Sequence, residues 1–259
     1  MAETHEERIR HAFTRQASTF EDERLNVAFM SGLPWLLSYV DPRPDDDVLD
    51  IAAGTGIVSR ALAPDVARVT AVDSTVAMIE EGRRRAEAEG RHNLQFVLGS
   101  AEDLPFGDAV FSLVVTRFSL HHFADPTPAV REMVRVLRPR GRLVVKDLIA
   151  STDPAVAGRQ DHVERLRDAS HMRMPARGSV RTWLENRALE VTEVVEREID
   201  RPVEPWLRQS VTDPEAADQV RAAFEADLAG ARTTGLRPHR VDGELWFRQT
   251  WEVTVARKP

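Results

Sequence analysis

Two hydrophobic patterns alternate along the first 150 residues of the chain. Short runs rich in Val, Leu and Ile predict β-strands, and segments with apolar residues three or four positions apart predict amphipathic helices. Several of the runs are apolar almost throughout, which is typical of parallel strands covered by helices on both faces. The predicted strands are 47–52, 67–73, 94–98, 109–116 and 141–148, and the helices between them are 57–63, 75–90 and 126–138. This alternation predicts an α/β fold around a mostly parallel sheet.

The two ends of the chain have a different pattern. The N-terminal segment has the apolar spacing of two helices, and the region after residue 150 is polar and arginine-rich before it alternates again. The additional predicted helices are 5–15, 22–39, a polar group within 151–189, and 214–229, and the additional strands are 190–200 and 245–257. Since no repeat or low-complexity linker interrupts the chain, we predict a single domain over residues 1–259.

Composition narrows the class of protein. The net charge is −7, so no general basic field is available to attract nucleic acid or an anionic membrane. No apolar run reaches the 18 residues of a membrane-spanning helix, and the charged N-terminus lacks the apolar core of a secretory signal. The chain contains no cysteine, so thiolate chemistry and cysteine metal sites are excluded. These features predict a soluble, cytoplasmic protein and disfavour a nucleic-acid substrate.

Residues 48–64 join a strand-like run, a small-residue turn and a helical segment. Such a unit brings backbone N–H groups close to a ligand. Asp73 ends the next predicted strand, 19 residues beyond Gly54, where a carboxylate can accept hydrogen bonds from both hydroxyls of a ribose. We therefore expect a nucleoside-containing ligand at this edge of the sheet.

A nicotinamide dinucleotide is the first alternative for such a ligand. Its usual fingerprint has a third glycine under the pyrophosphate, at the position that Ser59 occupies here. Asp50 lies within the strand, four residues before Gly54, and its carboxylate would repel a pyrophosphate. The pair favours a ligand with a cationic amino group over a dinucleotide.

Five motifs, in order, carry a resemblance to a known family. They are VLDIAAGTG at 48–56, VTAVDSTVAMI at 69–79, GSAEDLPF at 99–106, FSLVVTRFSLHHFADP at 111–126 and VRVLRPRGRLVVKD at 134–147. Together they resemble the class I S-adenosylmethionine-dependent methyltransferases, in particular the small-molecule subgroup that includes the ubiquinone/menaquinone C-methyltransferases. The resemblance covers about residues 45–149.

The resemblance implies an architecture. It implies a Rossmann-like, doubly wound sheet of seven mostly parallel strands in the order 3-2-1-4-5-7-6. The implied regions are a helical N-terminal lid at 1–44, a cofactor-binding core at 45–149, a mostly helical substrate-side region at 150–240 and a final strand at 241–259.

The resemblance also implies the residues that hold S-adenosylmethionine and its product S-adenosylhomocysteine. Asp50, Ala52, Gly54, Thr55 and Gly56 would line the methionine moiety, Asp73 the ribose, Ser74, Met78, Ala101 and Glu102 the adenine, and Thr116 and Arg117 the underside of the donor. Ser100, which stands where this family usually has an aspartate, is a further expected cofactor contact. The segment FTRQASTF at 13–20 resembles the family's donor-covering segment and adds Gln16 and Phe20.

Methyl transfer from a sulfonium is an in-line displacement that needs alignment and a dry cavity but no metal. An oxygen, nitrogen or carbon acceptor can require a general base, and histidine suits that role near neutral pH. His121 and His122 follow the fourth strand, and His171 lies in RDASHMR, a segment that resembles one near the substrate in this subgroup. No histidines have metal-ligand spacing, so no metal site is predicted.

Two interpretations of the donor-binding fold stay open. The chain transfers a methyl group to a small organic acceptor, or it binds the cofactor and catalyses a cyclisation or decarboxylation, or only binds. The acceptor cavity is expected between the N-terminal helices and residues 150–240, with Trp183, Trp206 and Trp246 among its candidate walls.

Overall fold

A computed structural model describes residues 3–22, 24–25 and 30–259. Its centre is one mixed sheet in which five parallel strands form one side and antiparallel strands complete the other. The strands are β1 (Asp47–Ile51), β2 (Arg68–Asp73), β3 (Leu94–Leu98), β4 (Phe111–Arg117), β5 (Leu137–Leu148), β6 (Glu190–Pro202), β7 (His239–Val241) and β8 (Glu244–Arg257).

The described helices cover both faces of this sheet and its carboxyl edge. They are α1 (His5–Gln16), α2 (Leu33–Val40), α3 (Ile57–Leu62), α4 (Val76–Ala88), α5 (Thr127–Val136), α6 (Pro154–Arg167), α7 (Ser179–Glu185), α8 (Val203–Gln209) and α9 (Pro214–Leu228), with short 3₁₀ turns at Ala63–Asp65 and Leu120–His122. None of the described helices is long and apolar enough to cross a membrane.

The strand order is β3-β2-β1-β4-β5-β8-β6, with β7 paired to β8 alone. The predicted order 3-2-1-4-5-7-6 is confirmed once the long final strand is counted as the seventh. The extra strand β7 forms a hairpin with β8 through Asp242 and Gly243, both at positive φ. An Asp-Gly pair is favoured in such two-residue turns, because both positions need left-handed backbone.

Three predicted boundaries are corrected by the structure. β4 begins at Phe111 rather than 109, because Ala109 has a φ of 55°. β5 begins at Leu137, before the Pro-Arg-Gly sequence predicted to separate helix from strand, and its pairing with β4 shifts register there. The helix predicted over 22–39 has a described part at Leu33–Val40, whereas residues 23 and 26–29 of that prediction lie outside the described residues.

The apolar core lies on both faces of the sheet. On one face α5 and α7 pack their buried side chains against β1, β4 and β5, and on the other face α2 and α3 do the same. A third cluster joins α8 and α9 around Trp206 and Phe247. This packing leaves the carboxyl ends of β1, β2, β4, β5 and β6 along a common edge, where ligands bind in open α/β sheets.

Candidate active site

The turn after β1 has the backbone of a ligand-binding loop. Ala52, Gly54 and Gly56 all have positive φ, at 53°, 57° and 75°. A β-carbon on Gly56 would lie 2.7 Å from the ring of Phe96, so this position also needs glycine for packing. The loop leads directly into α3, whose first residue is Ile57.

Asp50 is buried near the end of β1 and is held from one side. Its Oδ2 accepts hydrogen bonds from the backbone N–H of Ser59 at 3.1 Å and from the Ser59 hydroxyl at 2.6 Å. Burial raises the pKa of Asp50 to about 7, against the effect of these bonds and of the Arg117 charge. The serine that replaces the third glycine of the dinucleotide pattern therefore orients the carboxylate that faces the cavity.

Asp73 connects the glycine loop to the end of β2. Its Oδ2 accepts from the N–H of Gly54 and its Oδ1 from the N–H of Thr75, each at 2.8 Å. Burial raises the pKa of Asp73, although these amide bonds favour the charged form. The carboxylate thus fixes the loop and keeps further lone pairs for a ligand.

A cavity of about 600 Å³ opens over these residues at the carboxyl edge of the sheet. Most of the residues predicted to hold the donor line it. They are Gln16, Phe20, Asp50, Ala52, Gly54, Asp73, Ser74, Ser100, Ala101, Glu102 and Arg117, and the predicted histidines His121 and His122 line it as well. The structure therefore brings residues from six separate segments of the sequence to one cavity.

Four predicted donor contacts do not line the cavity. The Thr55 hydroxyl donates to Glu21, and Gly56 lies against Phe96. Met78 is fully buried in the core, as an ordinary packing residue would be. Thr116 is also fully buried, and its hydroxyl donates to the carbonyl of Ile51. These four residues support the walls rather than form them.

His121 forms a buried pair with Asp147 at the end of β5. Its Nδ1–H donates to Oδ1 of Asp147, whose other oxygen accepts from the N–H of Leu120 at 2.7 Å. Burial opposes a charge on the ring, but the charge and hydrogen bond of Asp147 outweigh it and raise the pKa of His121. Asp147 thereby fixes the orientation of the ring, with Nε2 of His121 directed away from Asp147.

His122 lies in a different environment. Its Nδ1–H donates to the carbonyl of Ser170 at 3.1 Å, and its ring packs edge-on against Phe13 of α1 at 5.1 Å between centroids. Burial, and to a smaller extent a charge on His121, lower the pKa of His122 to about 3. At neutral pH the ring is uncharged, and it joins α1 to the site.

His171 does not line the cavity, which corrects the prediction that it faces the acceptor. It is 2% exposed, and its Nε2–H donates to Asp161 of α6 at 2.9 Å. The same oxygen of Asp161 accepts from the N–H of Met174 at 2.9 Å, so the histidine closes a buried turn. Arg173 of the same segment is exposed.

Sequence reasoning missed the far wall of the cavity. The predicted tryptophans do not line it: Trp206 lies in the third core cluster, Trp183 packs against the core beside α5 and α7, and Trp246 is not among the lining residues. Trp251 of β8 lines it instead. The other missed residues include Phe118, Arg167, Asp168, Arg201 and Gln209. These five residues lie at or near the ends of helices or strands on the carboxyl edge of the sheet. That common position could be recognised only once the pairing of β5, β6 and β8 was known.

No group of three or more metal-ligating side chains with metal-site geometry occurs among residues 3–22, 24–25 and 30–259.

Comparison with known proteins agrees with this geometry. A family model described as a methyltransferase domain matches residues 49–145. The uncharacterized methyltransferase YcgJ of Bacillus subtilis is 31% identical over 80% of this chain and 82% of its own length. Its crystal structure superposes with a TM-score of 0.81, covering 88% of this chain and 98% of that one. The chain belongs to the class I S-adenosylmethionine-dependent methyltransferases.

Two further relatives show how far the family likeness extends. The ubiquinone/menaquinone biosynthesis C-methyltransferase UbiE of a Ruegeria strain is 39% identical over 42% of this methyltransferase and 45% of its own length. The [4+2]-cyclase SpnF has a TM-score of 0.63 over 88% of this chain and 79% of its own, at 17% identity, which shows a common fold alone.

Proposed function

We propose that this methyltransferase binds S-adenosylmethionine over the glycine loop and transfers its methyl group to an oxygen, nitrogen or carbon atom of a small organic acceptor. The observation that carries the proposal is the placement of Asp50 and Asp73. Their carboxyl groups lie at the ends of adjacent parallel strands and line the same cavity as Gly54. One suits a cationic amino group and the other a pair of ribose hydroxyls.

The burial of Asp50 supports this orientation of the donor. A carboxyl group with a pKa of about 7 is poorly stabilised as an anion, and the amino group of the methionine moiety would favour its charged form. The adenine would lie between Ser74 on one side and Ala101 and Glu102 on the other. We propose Ser100 as a backbone contact, since its side-chain oxygen accepts from the N–H of Glu102.

In this arrangement the acceptor attacks the methyl carbon from the side opposite the sulfur. The bond from acceptor to methyl forms as the bond from sulfur to carbon breaks, and the electron pair of that bond stays on sulfur. Where the acceptor must lose a proton, we propose His121 as the general base, because it lines the cavity and Asp147 fixes its orientation. Because the pKa of His121 is raised, the uncharged ring that can accept a proton predominates only at a higher pH than for an ordinary histidine.

One continuous sheet joins the first and last parts of the chain, which supports a single folding unit. Strands β6 and β8 lie outside the residues matched by the family model, yet they extend the same sheet as β1 to β5. We therefore propose a single domain in which α1 and residues after 150 surround the acceptor.

A second candidate function keeps the donor site but replaces methyl transfer by another reaction. The common fold with a cyclase is the reason to consider it, and only the fate of the donor discriminates the two. Release of S-adenosylhomocysteine in proportion to modified acceptor supports transfer, whereas unchanged donor during acceptor turnover supports the second candidate.

Calorimetry tests the donor site without knowledge of the acceptor. S-adenosylhomocysteine and S-adenosylmethionine are each titrated into the protein, and NADH serves as the negative control. We expect both to bind with micromolar or tighter dissociation constants and NADH not to bind. Absence of binding by either adenosyl compound would overturn the proposal.

A further inference from the structure

The far wall of the cavity carries a buried guanidinium. Arg201 is the penultimate residue of β6, 6% exposed, and it lines the cavity. Its Nη1 donates to the side-chain oxygen of Gln249 at 3.1 Å and its Nη2 to that of Gln209 at 3.2 Å. Both partners are neutral amides, and within the described residues Arg201 forms no ion pair. A buried arginine is ordinarily paired with a carboxylate.

This charge is kept at a cost to folding. Burial lowers the pKa of Arg201 to about 9; the charge of Arg167 acts in the same direction, and the charge of the buried Glu164, which forms no ion pair with Arg201, only partly opposes it. The group is still a cation at neutral pH. Because amide oxygens compensate a guanidinium less than a carboxylate does, an anion in the cavity would gain a strong, desolvated interaction.

A second arginine lies next to the first. Arg167, the last residue of α6, also lines the cavity, and its Nη2 donates to the same oxygen of Gln209 at 3.2 Å. Its nearest carboxylate oxygens, on Glu164 and Asp168, are 3.8 and 3.9 Å away. The Gln209 amide therefore holds two guanidinium groups together on one wall.

The acidic group on the same wall is already engaged. Asp168 lines the cavity, but its Oδ1 accepts from the N–H and the hydroxyl of Ser170. The charge of Arg167 and these bonds lower the pKa of Asp168 to about 2 in spite of its burial. Asp168 thus offsets part of the charge of Arg167, and Arg201 keeps neutral partners.

Aromatic rings complete this end of the cavity. Phe118 and Trp251 line it and pack against each other edge to face, with centroids 4.7 Å apart. The Arg201 guanidinium lies 5.9 Å from the Trp251 ring. A flat apolar surface beside a planar cation matches a flat ligand that carries an acidic group.

We propose that the acceptor is an aromatic or conjugated carboxylic acid, bound with its carboxylate toward Arg201 and Arg167 and its ring against Phe118 and Trp251. This inference rests on the proposed methyl transfer in the same cavity. It assigns Arg201 the recognition of the acid and leaves the methylated atom at the opposite end of the acceptor, toward His121 and the donor.

The variant Arg201→Met tests the inference because it removes the charge and little of the volume. The substitution leaves neither glutamine side-chain oxygen without a hydrogen bond. The Gln249 oxygen also accepts from Nε1 of Trp251 at 3.3 Å, and the Gln209 oxygen also accepts from Arg167. The matched control is Arg197→Met, an exposed arginine on the same strand that does not line the cavity.

The probes are benzoate and cinnamate, each compared with its own primary amide. Binding to the protein saturated with S-adenosylhomocysteine is followed by calorimetry and tryptophan fluorescence. For wild type and Arg197→Met we expect each acid to bind about 10- to 100-fold more tightly than its amide, the range of a charged hydrogen-bonded contact. For Arg201→Met we expect the preference to fall below about threefold. We also expect a higher melting temperature for ligand-free Arg201→Met than for wild type, because a buried charge is removed.

Three outcomes would overturn the inference: no acid binding at millimolar concentration, equal binding of acid and amide, or an acid preference that survives Arg201→Met. The S-adenosylhomocysteine titration is done first on all three proteins. If wild type fails to bind it, the proposed function itself fails, whereas normal donor binding without acid preference refutes only the assignment of the acceptor.

Discussion

Replacement of Asp73 by alanine is the most direct perturbation of the proposed donor site. In the structure each oxygen of this carboxylate already accepts one backbone N–H, from Gly54 and Thr75. A carboxylate offers about four lone-pair positions, so two remain for the two hydroxyls of a ribose. The substitution removes both proposed ribose contacts and leaves the backbone N–H groups of Gly54 and Thr75 without their acceptor.

The magnitude follows from the two lost contacts with a charged group. Net contributions of such hydrogen bonds predict that Asp73→Ala weakens donor binding by about 1.5 to 3 kcal/mol, or about 10- to 150-fold in the dissociation constant. Asp73→Asn keeps one accepting oxygen but presents an NH₂ group to the second backbone amide. We therefore expect it to bind more weakly than wild type and more tightly than Asp73→Ala.

The assay is calorimetric titration of S-adenosylhomocysteine into each variant, with the melting temperature of the ligand-free protein measured in parallel. Glu80→Ala is the control, since Glu80 is exposed on the helix that follows the same strand. A dissociation constant for Asp73→Ala within about twofold of wild type, in a folded protein, would refute the placement of the ribose at β2.

Two further predictions concern the base and the packing beneath the loop. Asp147→Asn should lower the pKa of His121, because the carboxylate charge that raises it is removed, and a lower NMR titration midpoint of that ring would show the change; an unmoved midpoint would contradict it. Gly82→Ala should lower the free energy of unfolding by about 1 kcal/mol or more, because a β-carbon there would overlap the Phe96 ring and lie 2.8 Å from the backbone oxygen of Thr55, and this strain outweighs the helix propensity of alanine. In urea unfolding, Gly158→Ala is the control: nothing lies within 4 Å of its β-carbon position, so it should be neutral or stabilising, and equal effects of the two variants would contradict the packing argument.

The proposed donor side of the cavity could be predicted from the sequence because its signals are local. A strand, a small-residue turn and a helix are contiguous, and the carboxyl ends of parallel strands share one edge of the sheet by geometry. The sequence pattern alone therefore predicted that Asp50, Gly54 and Asp73 lie close together. Met78 shows the limit of such transfer, since a methionine on the inner face of a helix has the same pattern whether it touches a ligand or the core.

The wall proposed to bind the acceptor could not be predicted because it is assembled from distant segments. Arg201 and Trp251 approach the same cavity only because β8 pairs with both β5 and β6 in a particular register. His171 was a candidate because its segment resembles one that lies near the substrate in this family, yet Asp161 binds its ring inside the fold. Whether such a residue lines the cavity or is buried beside it depends on strand pairing and burial, and no single segment of the sequence shows either.

The rate at which trypsin cleaves helix α1 is expected to report whether a ligand occupies the cavity. Its inner face, including Phe13 and Gln16, lines the cavity, and its contacts with the rest of the site include the His5 ring, which donates to the carbonyl of His122 at 2.6 Å. A bound donor would add contacts along this face. Trypsin cleaves after arginine, and Arg10 and Arg15 lie exposed in this helix. We expect saturation with S-adenosylhomocysteine to slow cleavage at both sites, and an unchanged rate would mean that the helix opens independently of the ligand beneath it.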